Sequence, residues 1–271
     1  VWILFIKKRN KKNLQSYMRP QKVELKKESY SNNHRQILAT TLKDQYNSIS
    51  NSIAVQKNLS LLKNENTFTI TTGHQLSLMT GPIYFLYKII STINLCKRLK
   101  QHYPNSNFVP IYWMASEDHD FEEISSFRFE NRNIRWPHQV EGAVGEMSLE
   151  KLQPVLDLFE QELGSHANAR NLKKIINHSY RISKTLSEAT FRLVNILFGD
   201  YGLIVIEPQT PKLKELFKPI LKEELSKGSS FSSVLKQIEN LKRGFDSNYI
   251  PQVNPRDINL FYLTPNGRYL I

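Results

Sequence analysis

FVPIYWM, residues 108–114, decides the fold, because a continuous apolar run of this length is typical of a central strand in a parallel sheet. Such a strand is covered on both faces and needs no alternating polar positions. Pro110 argues against a central position, since proline has no N–H to donate to a neighbouring strand. We therefore predict a buried strand here, with Pro110 as the observation against it.

Two further strands are predicted on either side of this run. TFTITT at 67–72 is rich in β-branched residues, and GLIVI at 202–206 is short and apolar. The segment at about 83–101 is apolar nearly all round, which predicts a buried helix between the first two strands. Strands that alternate with helices indicate an α/β fold with a parallel sheet and right-handed crossovers.

The remaining elements are predicted from apolar spacing, caps and turns. A helix capped at Ser31 or Asn32 has apolar positions that continue as far as Ile53. Thr185 and Glu188 form a capping-box pattern for a helix that ends at Gly199. Further helices are predicted at 56–63, 149–163, 168–180, 211–226 and 232–242, a β excursion at 127–147, and a hairpin from Asn259 through the turn at 265–267.

The composition is that of an ordinary globular protein. Of 271 residues, 40% are hydrophobic and 23% charged, and no apolar run approaches the roughly 20 residues that span a bilayer. The apolar start is followed by Lys7-Lys8-Arg9, the reverse of a secretory signal. A single cysteine, Cys96, excludes a disulfide framework and is predicted to pack in a helix. These features predict a cytoplasmic protein without a membrane partner.

The net charge of +12 is concentrated near the N-terminus. Residues 1–66 hold 13 Lys and Arg against 4 Asp and Glu, or +9, which leaves 24 against 21, or +3, for the rest. A basic arm at 1–30 could contact nucleic acid, but a solvated helical face is the more common explanation, so nucleic acid is not expected as a partner. The chain begins with Val1 and ends in what resembles a strand at 268–271, so we expect further residues beyond it.

The loop after the first strand, TTGHQLSLMTGP at 71–82, is the first candidate for a ligand site, because ligands of parallel sheets bind beyond the carboxyl ends of the strands. Gly73 lets a ligand approach the backbone, and Gly81 closes the loop. His74 can donate to a phosphate or act as a general acid or base, and Gln75 can orient a substrate. A tight turn with a surface histidine is the alternative.

The helix that follows this loop starts with residues that can line the same cleft. Tyr84 and Lys88 lie on its first turns, and Lys88 is a candidate for binding an anion. Packing is the more common role for the tyrosine.

The loop after the second strand, MASEDHDFEE at 114–123, is the second candidate. Glu117, Asp118, His119 and Asp120 follow a buried strand directly, where ionisable groups must be solvated or paired. In an extended chain the side chains of Glu117 and His119 would point to one side, and those of Asp118 and Asp120 to the opposite side. A solvated loop that caps a helix is the alternative.

Two other functions are compatible with the same residues. His74, His119 and Asp120 could form a two-histidine, one-carboxylate metal site of a metal-dependent hydrolase, although no HExxH-type spacing supports a metal. The basic arm could make the protein a nucleic-acid-binding module. A third polar segment, PQVNPRDINLFYL at 251–263, contains Arg256, which can pair with a carboxylate or phosphate or form a structural ion pair with Asp257 or Glu207.

Four segments resemble, in order and spacing, the BshC family of cysteine-adding enzymes of bacillithiol biosynthesis. They are TTGHQLSLMTGPIYFLYKIISTINL at 71–95, VPIYWMASEDHDFEEI at 109–124, GDYGLIVIEP at 199–208 and QVNPRDINLFYL at 252–263. The likeness extends from about residue 30 to the end of the chain.

The resemblance implies a Rossmann-like core at 31–271, related to the class I aminoacyl-tRNA synthetase and nucleotidyltransferase folds, with helical segments inserted at about 127–200 and 211–250. It also implies a C-terminal coiled coil, absent from this chain, that supports a homodimer. The implied activity is that of a ligase that forms an amide bond between L-cysteine and glucosaminyl-malate.

In this interpretation the catalytic residues are His74, Glu117, Asp118 and His119. The loop at 73–75 takes the place of the synthetases' histidine-containing nucleotide signature. The residues expected to bind substrate are Gly73, Gln75, Gly81, Tyr84, Lys88, Asp120 and Arg256. ATP or another nucleotide is possible as cosubstrate, although nothing resembles a P-loop, and no metal is expected.

Overall fold

The computed structural model describes residues 30–138, 142–244, 248–251, 253–264 and 267–271. The predicted basic arm lies outside the described residues except for Tyr30, so the nucleic-acid hypothesis stays a prediction. Pro265 and Asn266 of the predicted hairpin turn also lie outside them. Within the described ranges, no helix has both the length and the apolar composition needed to cross a membrane.

A three-stranded parallel sheet forms the centre of the fold. Its strands are β1 (Thr67–His74), β2 (Asn107–Met114) and a third at Ile204–Ile206, in the spatial order first, second, third. The predicted parallel α/β sheet is therefore confirmed. Pro110 does lie in the central strand, and it is tolerated because the third strand pairs with β2 only from Ile111 onward.

Helices and two hairpins surround this sheet. In chain order they are α1 (Asn32–Gln45), α2 (Ile53–Leu61), α3 (Tyr84–His102), α4 (Phe121–Ile124), β3 (Ser126–Phe129), β4 (Arg132–Arg135), α5 (Gln153–Glu162), α6 (Ala167–Ile176), α7 (Leu186–Phe198), β5 (Ile204–Ile206, the third strand of the sheet), α8 (Pro211–Glu215), α9 (Lys218–Lys227), α10 (Ser229–Gly244), β6 (Phe261–Thr264) and β7 (Gly267–Leu270).

The prediction of one helix running through Ile53 is wrong. α1 ends at Gln45, and α2 starts anew behind a second cap, where the hydroxyl of Ser52 accepts a hydrogen bond from the N–H of Val55 at 3.2 Å. The apolar spacing continued across the break because both helices pack on the same core. The predicted cap at Thr185 is confirmed, since its hydroxyl accepts from the N–H of Glu188 at 3.2 Å.

The prediction that α3 is buried all round is also wrong. Phe85 and Ile89 are buried against the sheet, whereas Tyr84 is 47% and Tyr87 61% exposed. α3 packs on β1 and β2 with one face only, and hydrophobic composition by itself does not tell which face meets the sheet. The first turn of this helix is therefore open beside the loop that precedes it.

Cys96 packs on the sheet face that α3 covers. Its neighbours there are Ile70, Leu95, Leu99 and Phe108, and burial raises the pKa of its thiol to about 12. The thiol is consequently protonated at neutral pH, so the prediction of a packing role is confirmed.

Candidate functional site

The loops that follow β1 and β2 meet at one edge of the sheet. The Gln75 side-chain amide donates to Asp118 Oδ2 at 3.1 Å and to Glu123 Oε2 at 2.6 Å. The backbone N–H of Ala115 donates to the carbonyl of His74 at 3.1 Å. Both loops follow the carboxyl ends of adjacent parallel strands, which is where such sheets bind ligands.

His74 is buried, with 7% of its surface exposed, and its ring nitrogens differ in environment. Nδ1 lies 3.1 Å from the carbonyl oxygen of Gln75, and a carbonyl can only accept, so Nδ1 carries the proton. Nε2 is then an unprotonated acceptor, and it is buried without a hydrogen-bond partner among the described residues. The predicted hydrogen bond from His74 to a phosphate would have to come from Nε2, which carries no proton in the neutral imidazole. Neutral His74 is therefore suited to accept a proton rather than to donate one.

Burial lowers the pKa of His74 below its ordinary value of 6.5, because the charged imidazolium loses its hydration. The hydrogen bond to Gln75 and the charge of Glu123 oppose this effect, and the charge of Lys88 adds to it. His74 is consequently neutral at physiological pH, the state in which Nε2 is a base.

Residues at the start of α3 surround this imidazole. The Tyr84 ring lies 5.1 Å from the His74 ring at an interplanar angle of 32°, and the Phe85 ring lies 5.5 Å away. Lys88 Nζ is 5.3 Å from the centre of the Tyr84 ring and 3.4 Å from the carbonyl of Gly73. The structure thus brings the predicted residues Gly73, Tyr84 and Lys88 to the imidazole.

The end of the first loop has an unusual backbone. Met79, Thr80 and Gly81 have φ values of 50°, 72° and 56° in succession, a conformation that costs energy for residues with a side chain. The hydroxyl of Tyr180 accepts a hydrogen bond from the N–H of Met79 at 3.0 Å and helps to hold this conformation. The predicted residue Gly81 is therefore a structural requirement of the loop.

Gly81→Ala is expected to destabilise the full-length protein more than Gly164→Ala. Both glycines have a positive φ, of 56° and 70°, a backbone conformation that costs a residue with a side chain about 1–3 kcal/mol. At Gly81 the added Cβ would also lie 2.4 Å from the Cβ of Ser77, whereas at Gly164 nothing lies within 4 Å. Urea midpoints measure the difference, and equal midpoints would contradict the strained loop.

The second loop is folded back on itself around Asp118. Asp118 Oδ1 accepts the N–H groups of His119 at 2.8 Å and Asp120 at 3.4 Å, and its own N–H donates to the carbonyl of Ala115 at 3.2 Å. The alternation that an extended chain would give does not apply here, because these bonds close a turn. Burial alone would raise the pKa of Asp118, but the bonds from Gln75 and the two N–H groups lower it overall.

Glu117 and Asp120, the carboxylates nearest to Asp118 in this loop, have separate partners. Glu117 forms an ion pair with Lys214 of α8. Asp120 accepts the N–H of Glu123 at 3.3 Å and so caps the short helix α4. The helix-capping alternative considered from the sequence thus applies to Asp120, whereas Asp118 and Glu123 both join this loop to the first one.

His119 is exposed and contacts the C-terminal hairpin. Its Nδ1 lies 3.0 Å from Arg268 Nη1 and 3.5 Å from Asp118 Oδ1. A hydrogen bond from Arg268 needs a lone pair on Nδ1, because a guanidinium can only donate, whereas a bond to Asp118 needs a proton there. The contact with Arg268 is the shorter one, so we assign the lone pair to Nδ1. Sequence reasoning missed Arg268 as a member of this site.

Glu207, which follows β5, holds the second loop from the third strand. Its carboxylate accepts the hydroxyl of Ser116 at 2.5 Å and that of Ser187, and its backbone N–H donates to Gln45 Oε1 at 3.2 Å. Ser116 is fully buried. Of these residues, only Glu207 carried a signal in the sequence, as an acidic residue directly after a buried strand.

Gly145 lies against the same loop from the other side. Its N–H donates to the carbonyl of Ser116 at 2.9 Å, and the N–H of Val144 donates to that of Asp118 at 2.8 Å. A Cβ at Gly145 would lie 2.7 Å from that of Ser116, so this close approach requires glycine.

Arg256 is exposed and stacks on Phe261, with its Cζ 4.9 Å from the ring centre. Arg268 lies over the same ring at 3.6 Å. Arg256 is thus brought near His119 through the hairpin. Glu207, one of its two predicted ion-pair partners, instead bonds to Ser116 and Ser187.

The metal-site alternative is not supported by the geometry. Across the described ranges, which include His74, His119 and Asp120, no three His, Cys, Asp or Glu side chains are grouped so as to hold a metal ion. His74, His119 and Asp120 therefore do not form the metal site that was considered as an alternative.

Comparison with known proteins identifies relatives for nearly the whole chain. The family model described as "Bacillithiol biosynthesis BshC, N-terminal Rossmann-like domain" matches residues 6–271. Proteins named "Putative cysteine ligase BshC" are similar in Flavobacterium johnsoniae (51% identity, 90% of this chain and 45% of the relative), Flavobacterium psychrophilum (50%, 91% and 46%) and Staphylococcus carnosus (30%, 81% and 42%). The chain thus spans less than half the length of these relatives. The match confirms the predicted resemblance and the Rossmann-like fold, and the chain belongs to the BshC family.

Proposed function

We propose that the full-length protein is a cysteine ligase that joins L-cysteine to glucosaminyl-malate in the last step of bacillithiol synthesis. The proposal is supported by the names of the relatives and by two polar loops that follow the carboxyl ends of adjacent parallel strands, where such sheets commonly bind ligands. The observation that carries the proposal is the bond between Gln75 and Asp118, which joins a loop with a basic nitrogen to a loop with a carboxylate.

Amide formation needs an activated carboxyl group, a neutral amine and a base for the proton that the amine loses. Neutral His74 supplies that base through Nε2. The half-exposed Tyr84 ring lies beside the imidazole, and we infer that it moves aside when the substrate amine approaches Nε2. Asp118 lies on the opposite loop, and its negative charge attracts the ammonium form of the amine before the proton leaves.

Activation of the cysteine carboxyl group by ATP or another nucleotide, with the phosphate or nucleotide group leaving as the C–N bond forms, is compatible with the same edge. Lys88 and the first turn of α3, which has no side-chain cap, are the cationic and dipolar groups available for a phosphate. A cytoplasmic location stays a prediction from the composition of the chain, and a homodimer formed through a C-terminal coiled coil stays a prediction from the family resemblance.

Deletion of the gene, followed by thiol profiling, tests the proposed function. We expect bacillithiol to disappear and glucosaminyl-malate to accumulate, and the wild-type gene to restore both. A complementing gene with His102→Gln is the control for a histidine substitution outside the site, since His102 is exposed at the far end of α3. It should return bacillithiol and its precursor to the levels that the wild-type gene gives. Unchanged bacillithiol without accumulation of the precursor would overturn the proposal.

A further inference from the structure

The hairpin β6–β7 and the segment before it place two guanidinium groups over one aromatic ring. Cζ of Arg268 lies 3.6 Å, and that of Arg256 4.9 Å, from the centre of the Phe261 ring. Cation–π contacts of this kind orient a guanidinium while leaving its N–H groups available. We call Arg256 and Arg268 the arginine pair.

The arginine pair lies beside the acidic loop. Arg268 Nη1 donates to His119 Nδ1 at 3.0 Å, and His119 is the residue after Asp118. Positive and negative groups therefore lie next to each other at this edge of the sheet, on separate segments of the chain. A ligand that carries an amine and an anionic group would find a partner for each.

The described residues leave much of the hydrogen-bonding capacity of the arginine pair unused. Each guanidinium has five N–H donors. Among the described residues, the contacts of Arg268 are the bond to His119 and the Phe261 ring, and Arg256 contacts that ring without a carboxylate partner. Two like charges over one ring also repel each other, so a bound anion would stabilise the arrangement.

We propose that the arginine pair binds the oxyanion groups of a substrate at this site, through paired N–H···O bonds to carboxylates or phosphates. The identity of that substrate rests on the proposed function, in which the acceptor carries an amine and the two carboxylates of a malyl group. The acidic loop then receives the amine and the arginine pair receives the carboxylates. The phosphates of a nucleotide have the same oxyanion chemistry and are the other source.

Calorimetric titration of the full-length protein with L-malate and with pyrophosphate tests this proposal. Arg268→Gln and Arg256→Gln should each weaken binding of the recognised probe about tenfold, the loss of one charged hydrogen-bonding partner. Arg98→Gln is the matched control and should bind as the wild type does. Arg98 is exposed in the second half of α3, the end at which Lys100 bonds to Ser106 just before β2 begins, opposite the site.

The two probes distinguish the sources of the oxyanion: a loss confined to L-malate assigns the pair to the acceptor, and a loss confined to pyrophosphate assigns it to a nucleotide. Arg268→Lys keeps the positive charge but lacks the paired N–H donors, so its affinity for the recognised probe should fall several-fold. This variant provides the test if Arg268→Gln does not fold. The proposal is overturned if neither probe binds the wild type, or if the arginine variants bind as tightly as it does. Binding is measured without turnover, so an arginine-dependent affinity would stand even if thiol profiling rejected the ligase.

Discussion

His74→Asn is expected to lower kcat/KM for the proposed ligase reaction of the full-length protein by roughly 10² to 10⁴, the range typical for loss of a general base. Asparagine can place its amide N–H where Nδ1 donates to the carbonyl of Gln75, so the loop keeps its bond. It has no atom at the position of Nε2, the buried acceptor. The variant thus separates proton transfer from positioning. An asparagine variant with wild-type kcat/KM would restrict His74 to a structural role.

The pH dependence of the wild type gives a second readout of the same group. Because the folded protein lowers the pKa of His74, its neutral form persists below pH 6.5, and kcat/KM should decline only as the pH falls through that lowered pKa. Lys88→Met removes a nearby positive charge that contributes to the lowering and should move the acid limb to higher pH. An unchanged acid limb in Lys88→Met would contradict the assignment.

Asp118→Asn is expected to lower kcat/KM by about a hundredfold, because misplacing a reacting group by about 1 Å has an effect of that size. The carboxylate uses Oδ1 for the N–H groups of His119 and Asp120 and Oδ2 for the amide of Gln75. An asparagine has one acceptor oxygen, so its NH₂ would face either the backbone donors or the Gln75 amide. A rotation of the Gln75 amide by 180° does not restore the hydrogen bond between the loops without a loss, since the amide oxygen would then face the carboxylate of Glu123.

Asp157→Asn is the matched control for this substitution. Asp157 forms an ion pair with Arg181 and is 59% exposed. Its substitution removes a surface ion pair, which contributes little to the free energy of unfolding. Steady-state kinetics of both variants, with melting temperatures, make the comparison. Equal kcat/KM values for Asp118→Asn and the wild type would show that the bond between the two loops is not needed for the reaction.

The sheet and the two loops were predictable because their signals are local. An apolar run such as residues 108–114 indicates a buried strand without knowledge of its neighbours, and strand–helix alternation then fixes parallel pairing. Once the strands are parallel, the loops at 73–75 and 117–120 must lie at the same edge. The contact between Gln75 and Asp118, 43 residues apart, follows from that topology.

The supporting residues of the site were not predictable because their contacts span long distances along the chain. Gln45 meets Glu207 across 162 residues, and His119 meets Arg268 across 149. Neither Gln45 nor Arg268 belongs to a sequence motif, and only the fold brings them to the site. The exposed face of α3 was missed for a related reason, since hydropathy does not show how much of a helix its neighbours cover.

The central claim is that the loops after β1 and β2 form one pocket in which the acceptor amine is acylated. A crystal structure of the full-length protein with glucosaminyl-malate tests it most directly. The claim predicts that the amine nitrogen lies between the two loops, within reach of His74 Nε2 and of the Asp118 carboxylate. An acceptor bound at another part of the molecule, with its amine remote from both residues, would contradict it.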